Sequence, residues 1–369
     1  MSERGAVVVE IGGQNARAGW AGTQAPQHVF SPWQQQQRQA AIKPVEAGVV
    51  KNWDAFEAAL RLGLSKTAAT TADTAKDAGD AGDTGDAAPL LLVDSPSMPE
   101  QDREKACEIA LEKIGCPSFF VLNDMVASVY SAGRVSSYVF DIGYDTCHAG
   151  VVHEGFLFPH TFTPISVGGA HITQCLRELF NERGLNLDAH TAEQVKLSHA
   201  RTALDFAREA AELWSLPAED TVSITAPDGH HLPLADTGIR AAEALFQPML
   251  AGRPGLGLSD ALVDITNSCA QDRDFPPLQN MPLFYLATGG ASQMPGIGER
   301  VYNDLMAGIL STSLSKQVFV SALQKAPDRH HAAWIGGSIV ASLPRFIDKN
   351  FVTKAEFDEH GASIVHKRC

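Results

Sequence analysis

The sequence predicts an α/β protein made of two related halves, and three observations carry that prediction. A short device occurs twice: VEIGGQNARAG, from Val9 to Gly19, and FDIGYDTCHAG, from Phe140 to Gly150, align without gaps as acid-Ile-Gly, five variable residues and Ala-Gly. After each copy, runs of strand character alternate with runs of helical spacing. At 369 residues the chain is long enough for two separate cores.

Ala6–Glu10 is a β-branched strand, and Gln14–Trp20 is placed to return beside it as a hairpin. Leu90–Val93 has the apolar run of a buried strand, and Gln101–Ile114 the spacing of a helix. Ser118–Leu122 is a strand, and NDMVASVYSAG opens with Asn123 as the N-cap of a helix. The pattern then restarts. Ser137–Asp141 is a strand, Cys147–Gly155 its return, and Gly169–Arg183 a helix. MPLFYLATGG is a strand ending in a glycine turn, followed by a helix from near Pro295. RHHAAWIGGSIVASL reads as a helix with small residues packed tightly. The expected halves are 1–130 with 331–369, and 131–330. KTAATTADTAKDAGDAGDTGDAA, Lys66 to Ala88, lacks large apolar residues and is expected to be a low-complexity acidic linker or loop insertion. Its spaced aspartates match no EF-hand loop. The QQQQ at Gln34–Gln37 is expected as exposed loop.

Hydrophobic residues at 44% and charged residues at 20% are ordinary for a soluble globular chain. Runs such as AGVV and PLLLV are too short to span a bilayer, and no basic segment leads an apolar one at the N-terminus. The cytosol, or the nucleus of a eukaryotic cell, is the expected location. The six cysteines form no C-x-x-C pair, which fits free thiols. A net charge of −14 argues against a general affinity for nucleic acid.

In open α/β sheets ligands sit at the carboxyl ends of strands. There glycine admits a phosphate close to the backbone, whose N–H groups become donors. Two facing acid-Gly turns are therefore suited to clasp a phosphate chain, with Glu10 and Asp141 holding a divalent cation through its waters. Taken singly, each turn reads first as a plain hairpin. Their repetition carries the phosphate reading.

The chain resembles actin and the actin-related proteins across nearly its full length. The most specific segment is WIGGSIVASLPRFIDKNFVTKAEFDEHGASIVHKRC, Trp334 to Cys369, supported by RAGWAGTQAP, VVKNWDAFE, VYSAGR, FNERG, ALDF, EALFQP and TGGASQMPGIGER. The resemblance implies the actin-like ATPase fold: four subdomains around a cleft for ATP or ADP with Mg2+, and hinges near Ser128–Ser137 and Arg329–Ile335. By position it implies Gly12 and Gly13 on the first phosphate turn, with Arg17 in place of the usual lysine. Gly143 falls on the second turn, with Asp141 at the metal. Lys196 is implied near the base and ribose, Gly289 and Gly290 form the turn under the adenosine, and His148 helps place the attacking water. Asp124 stands where a glutamine orients that water. Without the resemblance, His148 reads as a packed core histidine, Lys196 as a surface lysine and Arg17 as a strand end.

The departures are specific. Glu10 replaces an aspartate, Gly13-Gln14 a Ser-Gly pair, Tyr144 an aspartate, Leu197 a ribose-binding glutamate and His330 a lysine beside the base. They lead us to expect nucleotide binding with slow hydrolysis, so a weak ATPase at most. The tail favours an actin-like cytoskeletal protein that self-associates into filaments. The alternative is a non-polymerising structural subunit of a larger complex. It is favoured by a gap in which only SPWQQQQRQAAI stands between Phe30 and KPVEAGVVKNWD, where actins carry a longer stretch with the loop that docks into the next subunit. The resemblance also implies a groove for amphipathic partner helices beside Tyr130, Gly133, Ile335, Ile339 and Leu343. Neither a membrane nor direct nucleic-acid binding is expected.

Overall fold

Val7–Ile11 is a strand because four of its five residues are β-branched, and it is buried almost throughout. It lies in the middle of the first of two large sheets; two small two-stranded sheets stand apart from them. In this computed structural model residues 5–33, 43–78, 88–215, 223–225, 231–234, 236–272, 283–310, 318–320 and 328–369 are described. The chain divides into two compact units: unit 1 is Met1–Ser136, Glu154–Leu157 and His331–Cys369, and unit 2 is Ser137–His153 and Phe158–His330.

In unit 1, Val7–Ile11 pairs antiparallel with Ala16–Trp20, which pairs antiparallel with His28–Phe30. On its other edge it runs parallel to Leu90–Asp94, which runs parallel to Ser118–Asn123. Val352–Thr353 closes that side of the sheet. In unit 2 the same plan recurs. Ser137–Ile142 pairs antiparallel with Cys147–His153, itself antiparallel to Thr163–Ile165. On its other edge it runs parallel to Leu283–Thr288, and that strand runs parallel to Val318–Val320. Each sheet is thus a hairpin extended by two parallel strands, so the sequence repeat marks a repeat of topology.

Each unit has its own core. In unit 1 the strand residues Val7, Val9, Leu90, Leu92, Phe119 and Val121 pack with Phe56 and Leu60. The Ala332–Ala341 helix lies tight on this sheet. Trp334 is fully buried and its Nε1–H donates to the Val8 carbonyl at 3.0 Å. A Cβ on Gly19 would stand 2.9 Å from the Trp334 ring, which accounts for the glycine that ends the first copy of the device. A Cβ on Gly336 would fall 1.7 Å from the Ala127 carbonyl oxygen, so the small residues of this helix set its approach to Asp124–Ser131. In unit 2 Tyr138, Phe140 and Tyr285 of the sheet pack with Ile172, Leu176 and Phe180 of the Gly169–Glu182 helix and with Leu262 and Ile265 of the Leu258–Gln271 helix.

Two sequence expectations change. The helix that opens at Trp53 runs on to Ala78, so the first part of Lys66–Ala88 is helical and not linker. Large apolar residues are not what holds it. Thr67 is fully buried and donates to the Gly63 carbonyl at 2.8 Å, and Thr70 pairs with His28 Nε2 at 2.9 Å. Alanine-rich sequence also favours helix intrinsically. Residues 79–87 of that segment, and Gln34–Gln37, lie outside the described residues. Second, the helix expected over Gln101–Ile114 is α-helical through Glu100–Glu108 and then widens to a π-turn over Ile109–Ile114, ended by Gly115 at φ +82°. Among the described residues no helix is long and apolar enough to cross a membrane.

Candidate functional site

The two acid-Gly turns have the same local construction. In unit 1, Glu10 lies opposite Arg17 in the hairpin register, and the Gly12 N–H donates to the Asn15 carbonyl at 2.9 Å. In unit 2, Asp141 lies opposite His148, and the Gly143 N–H donates to the Thr146 carbonyl at 3.0 Å. A Cβ on Gly12 would stand 3.1 Å from the Asn15 oxygen and one on Gly143 2.9 Å from the Thr146 oxygen. Both turns are therefore tight enough to select glycine. Gly13 follows in the same bend of unit 1. Each turn sits at the carboxyl end of a strand that has a parallel neighbour, where α/β sheets place their ligands.

In unit 1 three acids gather at that edge. Glu10 is the last residue but one of the first strand, Asp94 ends the neighbouring strand, and Asp124 opens the Asp124–Ser131 helix. The Asn123 side chain caps that helix by accepting the Met125 and Val126 N–H groups, as the sequence predicts. Arg17 Nη1 donates to Glu10 Oε1 at 2.6 Å, with both side chains mostly buried, and Arg17 Nε donates to His331 Nδ1 at 2.9 Å. Asp94 is nearly inaccessible and accepts from Arg103 Nε at 2.7 Å. Burial pushes its carboxyl up to about 7; the Arg103 charge opposes that shift and the Asp124 charge adds to it.

In unit 2 the second turn is fastened to the start of the Gly169–Glu182 helix. The Gly169 N–H donates to the Gly143 carbonyl at 2.9 Å and the Ala170 N–H to the Tyr144 carbonyl at 2.8 Å. A Cβ on Gly168 would meet the Thr146 nitrogen at 2.6 Å. Asp141 Oδ2 accepts the Thr288 hydroxyl at 2.9 Å, from the residue opposite it in the parallel register. Gly289 follows with φ +87°, and a Cβ there would stand 2.5 Å from the Ile142 carbonyl oxygen, so only glycine fits beside the turn. Gly290 opens a short 3-10 turn after it. These pieces bring Asp141, Gly143, Gly289 and Gly290 into one neighbourhood.

Lys196 is placed there too, but not as a surface lysine. Its ammonium is buried, donates to the Gly169 carbonyl at 3.0 Å and pairs with Glu193 at 2.8 Å. Glu193 also accepts the Thr173 hydroxyl. Desolvation pulls the Lys196 ammonium below its ordinary value, against the raising effect of Glu193. His148 is 4% exposed, with its ring 5.8 Å from that of Phe162. Among the described residues no three His, Cys, Asp or Glu side chains converge as a metal cage.

Tyr130, Gly133, Ile335, Ile339 and Leu343 all belong to unit 1. Ile339 and Leu343 are 43% and 53% exposed, while the Tyr130 hydroxyl closes over Gly155. Sequence reasoning gave Asp94, Thr288 and His331 no role of their own in the site. The first two carried a signal, since each ends a parallel strand beside an acid-Gly turn; His331 carried none.

The family model described as Actin matches this chain over residues 1–210 and again over 188–369, so the two matches together span its length.

Proposed function

The chain belongs to the actin family, and from that premise we propose that it binds ATP or ADP with Mg2+, hydrolyses ATP slowly and assembles into filaments. The single observation that supports nucleotide binding best is the repeated acid-Gly turn, built alike in both units at the carboxyl ends of their central strands. In this reading the backbone N–H groups that follow Gly12 and Gly143 in the two turns, Gly13 among them, donate to phosphate oxygens, and Arg17 adds a guanidinium. Gly289 and Gly290 give the adenosine a flat backbone to rest on.

The donor set fits a hydrated magnesium ion. Asp141 is a hard oxygen ligand oriented by Thr288, and magnesium keeps most of its waters when bound by one or two carboxylates and phosphates. When bound, the ion supplies neutralisation of phosphate charge. Glu10 is the second candidate ligand, but its Oε1 is engaged by Arg17, which makes Asp141 the principal one. Asp124 and His148 are the residues proposed to order the attacking water.

Thermal unfolding with and without Mg-ATP tests the binding. A ligand at a hundred times its dissociation constant stabilises the native state by about 2.7 kcal/mol. Wild type is expected to gain in that range and Asp141→Ala to lose the magnesium-dependent part. Equal protection of both chains counts against the site.

The alternative, a non-polymerising structural subunit, is favoured by one observation. The strand His28–Phe30 and the next described strand, Val45–Glu46, are separated by too few residues for the family's docking loop. Sedimentation with and without ATP separates the two: a pellet that depends on nucleotide supports filaments, and none at any concentration supports the subunit. We place the protein in the cytoplasm on the family's usual habit.

A further inference from the structure

We infer that His331 is a positioning residue which sets how Arg17 presents its guanidinium to phosphate; the inference rests on the nucleotide reading above. Arg17 projects from Ala16–Trp20 next to the first turn, where a Cβ on Gly12 would lie 4.0 Å from its Nη1. Its side chain is 12% exposed. Glu10 Oε1 takes one Nη1 hydrogen and His331 Nδ1 takes the Nε hydrogen. A guanidinium is planar with five N–H donors and no acceptor. Two bonds from different nitrogens therefore fix both its position and its plane, and the Nη2 end makes no hydrogen bond among the described residues. Because Arg17 only donates, Nδ1 of His331 must be the unprotonated nitrogen of its ring.

Glu10 alone does not do this. A single bond at Nη1 leaves the guanidinium free to rotate about it, and the carboxylate then competes with phosphate for whichever N–H groups swing round. With His331 on Nε, Glu10 is confined to one edge and the remaining edge is held for an anion at the turn. The contact joins residues 314 positions apart. His331 sits where the short 3-10 turn Arg329–His331 meets the Ala332–Ala341 helix, and that helix is anchored to the sheet by Trp334. The imidazole thus reaches Arg17 from a rigid support. A lysine at position 17 is a point charge with no plane to orient, so histidine at 331 is useful to an arginine in a way it is not to a lysine.

The test is calorimetric titration of ATP, ADP and adenosine into wild type, His331→Ala, His331→Asn, Arg17→Ala and the Arg17→Ala/His331→Ala double variant. The expectation is that His331→Ala weakens ATP and ADP about tenfold, the size of one charge-assisted hydrogen bond, and leaves adenosine unchanged. Asparagine, whose Oδ1 stands near the place of Nδ1, should recover most of the loss. The double variant should bind no more weakly than Arg17→Ala alone. Wild-type ATP affinity in His331→Ala, an equal loss for adenosine, or single losses that multiply in the double variant each overturn the positioning role. A wild-type chain that binds neither ATP nor ADP overturns the nucleotide reading instead. The positioning is then read directly from solvent exchange of the Arg17 Nε–H, expected slow in wild type and fast in His331→Ala; equal rates overturn it.

Discussion

Asp94→Asn separates the charge of a buried carboxyl from its shape. The asparagine keeps an acceptor for Arg103 Nε but cannot ionise. In the native chain burial holds the Asp94 carboxyl at about 7, whereas its ordinary value is 3.8. Between those two values the folded chain binds more protons than the unfolded one, so stability falls as pH rises. The contribution is present in full below about pH 4, shrinks through the interval and is gone above about pH 7. Integrated from pH 5 to pH 8, the loss is roughly 2–3 kcal/mol. Urea unfolding of wild type and variant at each pH reads this, with tryptophan fluorescence as the probe. Four of the five tryptophans, Trp20, Trp33, Trp53 and Trp334, belong to unit 1, as does Asp94. At an m-value of about 3 kcal/mol per molar, the difference between the two midpoints should move by up to about 1 M in favour of the variant between pH 5 and pH 8. Comparing the two chains cancels other titrating groups. A difference that stays flat over this range would refute the reasoning, because Asp94 would then be ionised throughout and Arg103 would outweigh its burial.

Cys369 is exposed as a residue, yet its Sγ accepts the Val121 N–H at 3.2 Å and burial pushes the thiol up to about 12. Maleimide labelling at pH 8, followed by mass spectrometry, should therefore run two to three orders of magnitude slower there than on an ordinary cysteine. Gly289→Ala adds a backbone clash to a left-handed φ, and should cost at least about 2–3 kcal/mol in unfolding free energy and abolish protection by Mg-ATP. Deleting residues 66–78 should lower the melting temperature measurably by calorimetry, because it removes buried Thr67 and the Thr70–His28 pair from the helix that packs on unit 1.

What the sequence made legible was whatever local chemistry decides. Alternation, the Asn123 cap and the two acid-Gly turns depend on neighbours in the chain, and all lie where the residues predict. The helix over Lys66–Ala78 was missed because its anchoring is by threonines, and a search for large apolar residues does not see a buried hydroxyl bonded to its own helix. The candidate site was legible at its glycines for a related reason, since backbone crowding selects glycine wherever a turn is tight. It was not legible in its cross-chain bonds. Nothing near His331 in the sequence announces Arg17, and Lys196 looks exposed until Glu193 and the Gly169 carbonyl are seen to hold it.

The repeated hairpin also explains how the two turns can come to differ. One register position pairs the strand-end acid with the residue seven positions later, as Glu10 with Arg17 and as Asp141 with His148. In unit 1 the partner is a permanent cation, and the acid closes on it at 2.6 Å. In unit 2 the partner is an imidazole packed beside Phe162, and the acid instead takes the hydroxyl of Thr288 from the parallel strand. A carboxylate bound to a guanidinium is poorly placed to give its charge to a metal ion, because it must first break a charge-assisted bond. The Thr288 bond in unit 2 is to a neutral hydroxyl and is not charge-assisted by a cation. On the nucleotide reading proposed above, the same backbone device would serve phosphate positioning in unit 1 and metal binding in unit 2, with the side chain across the hairpin making the difference.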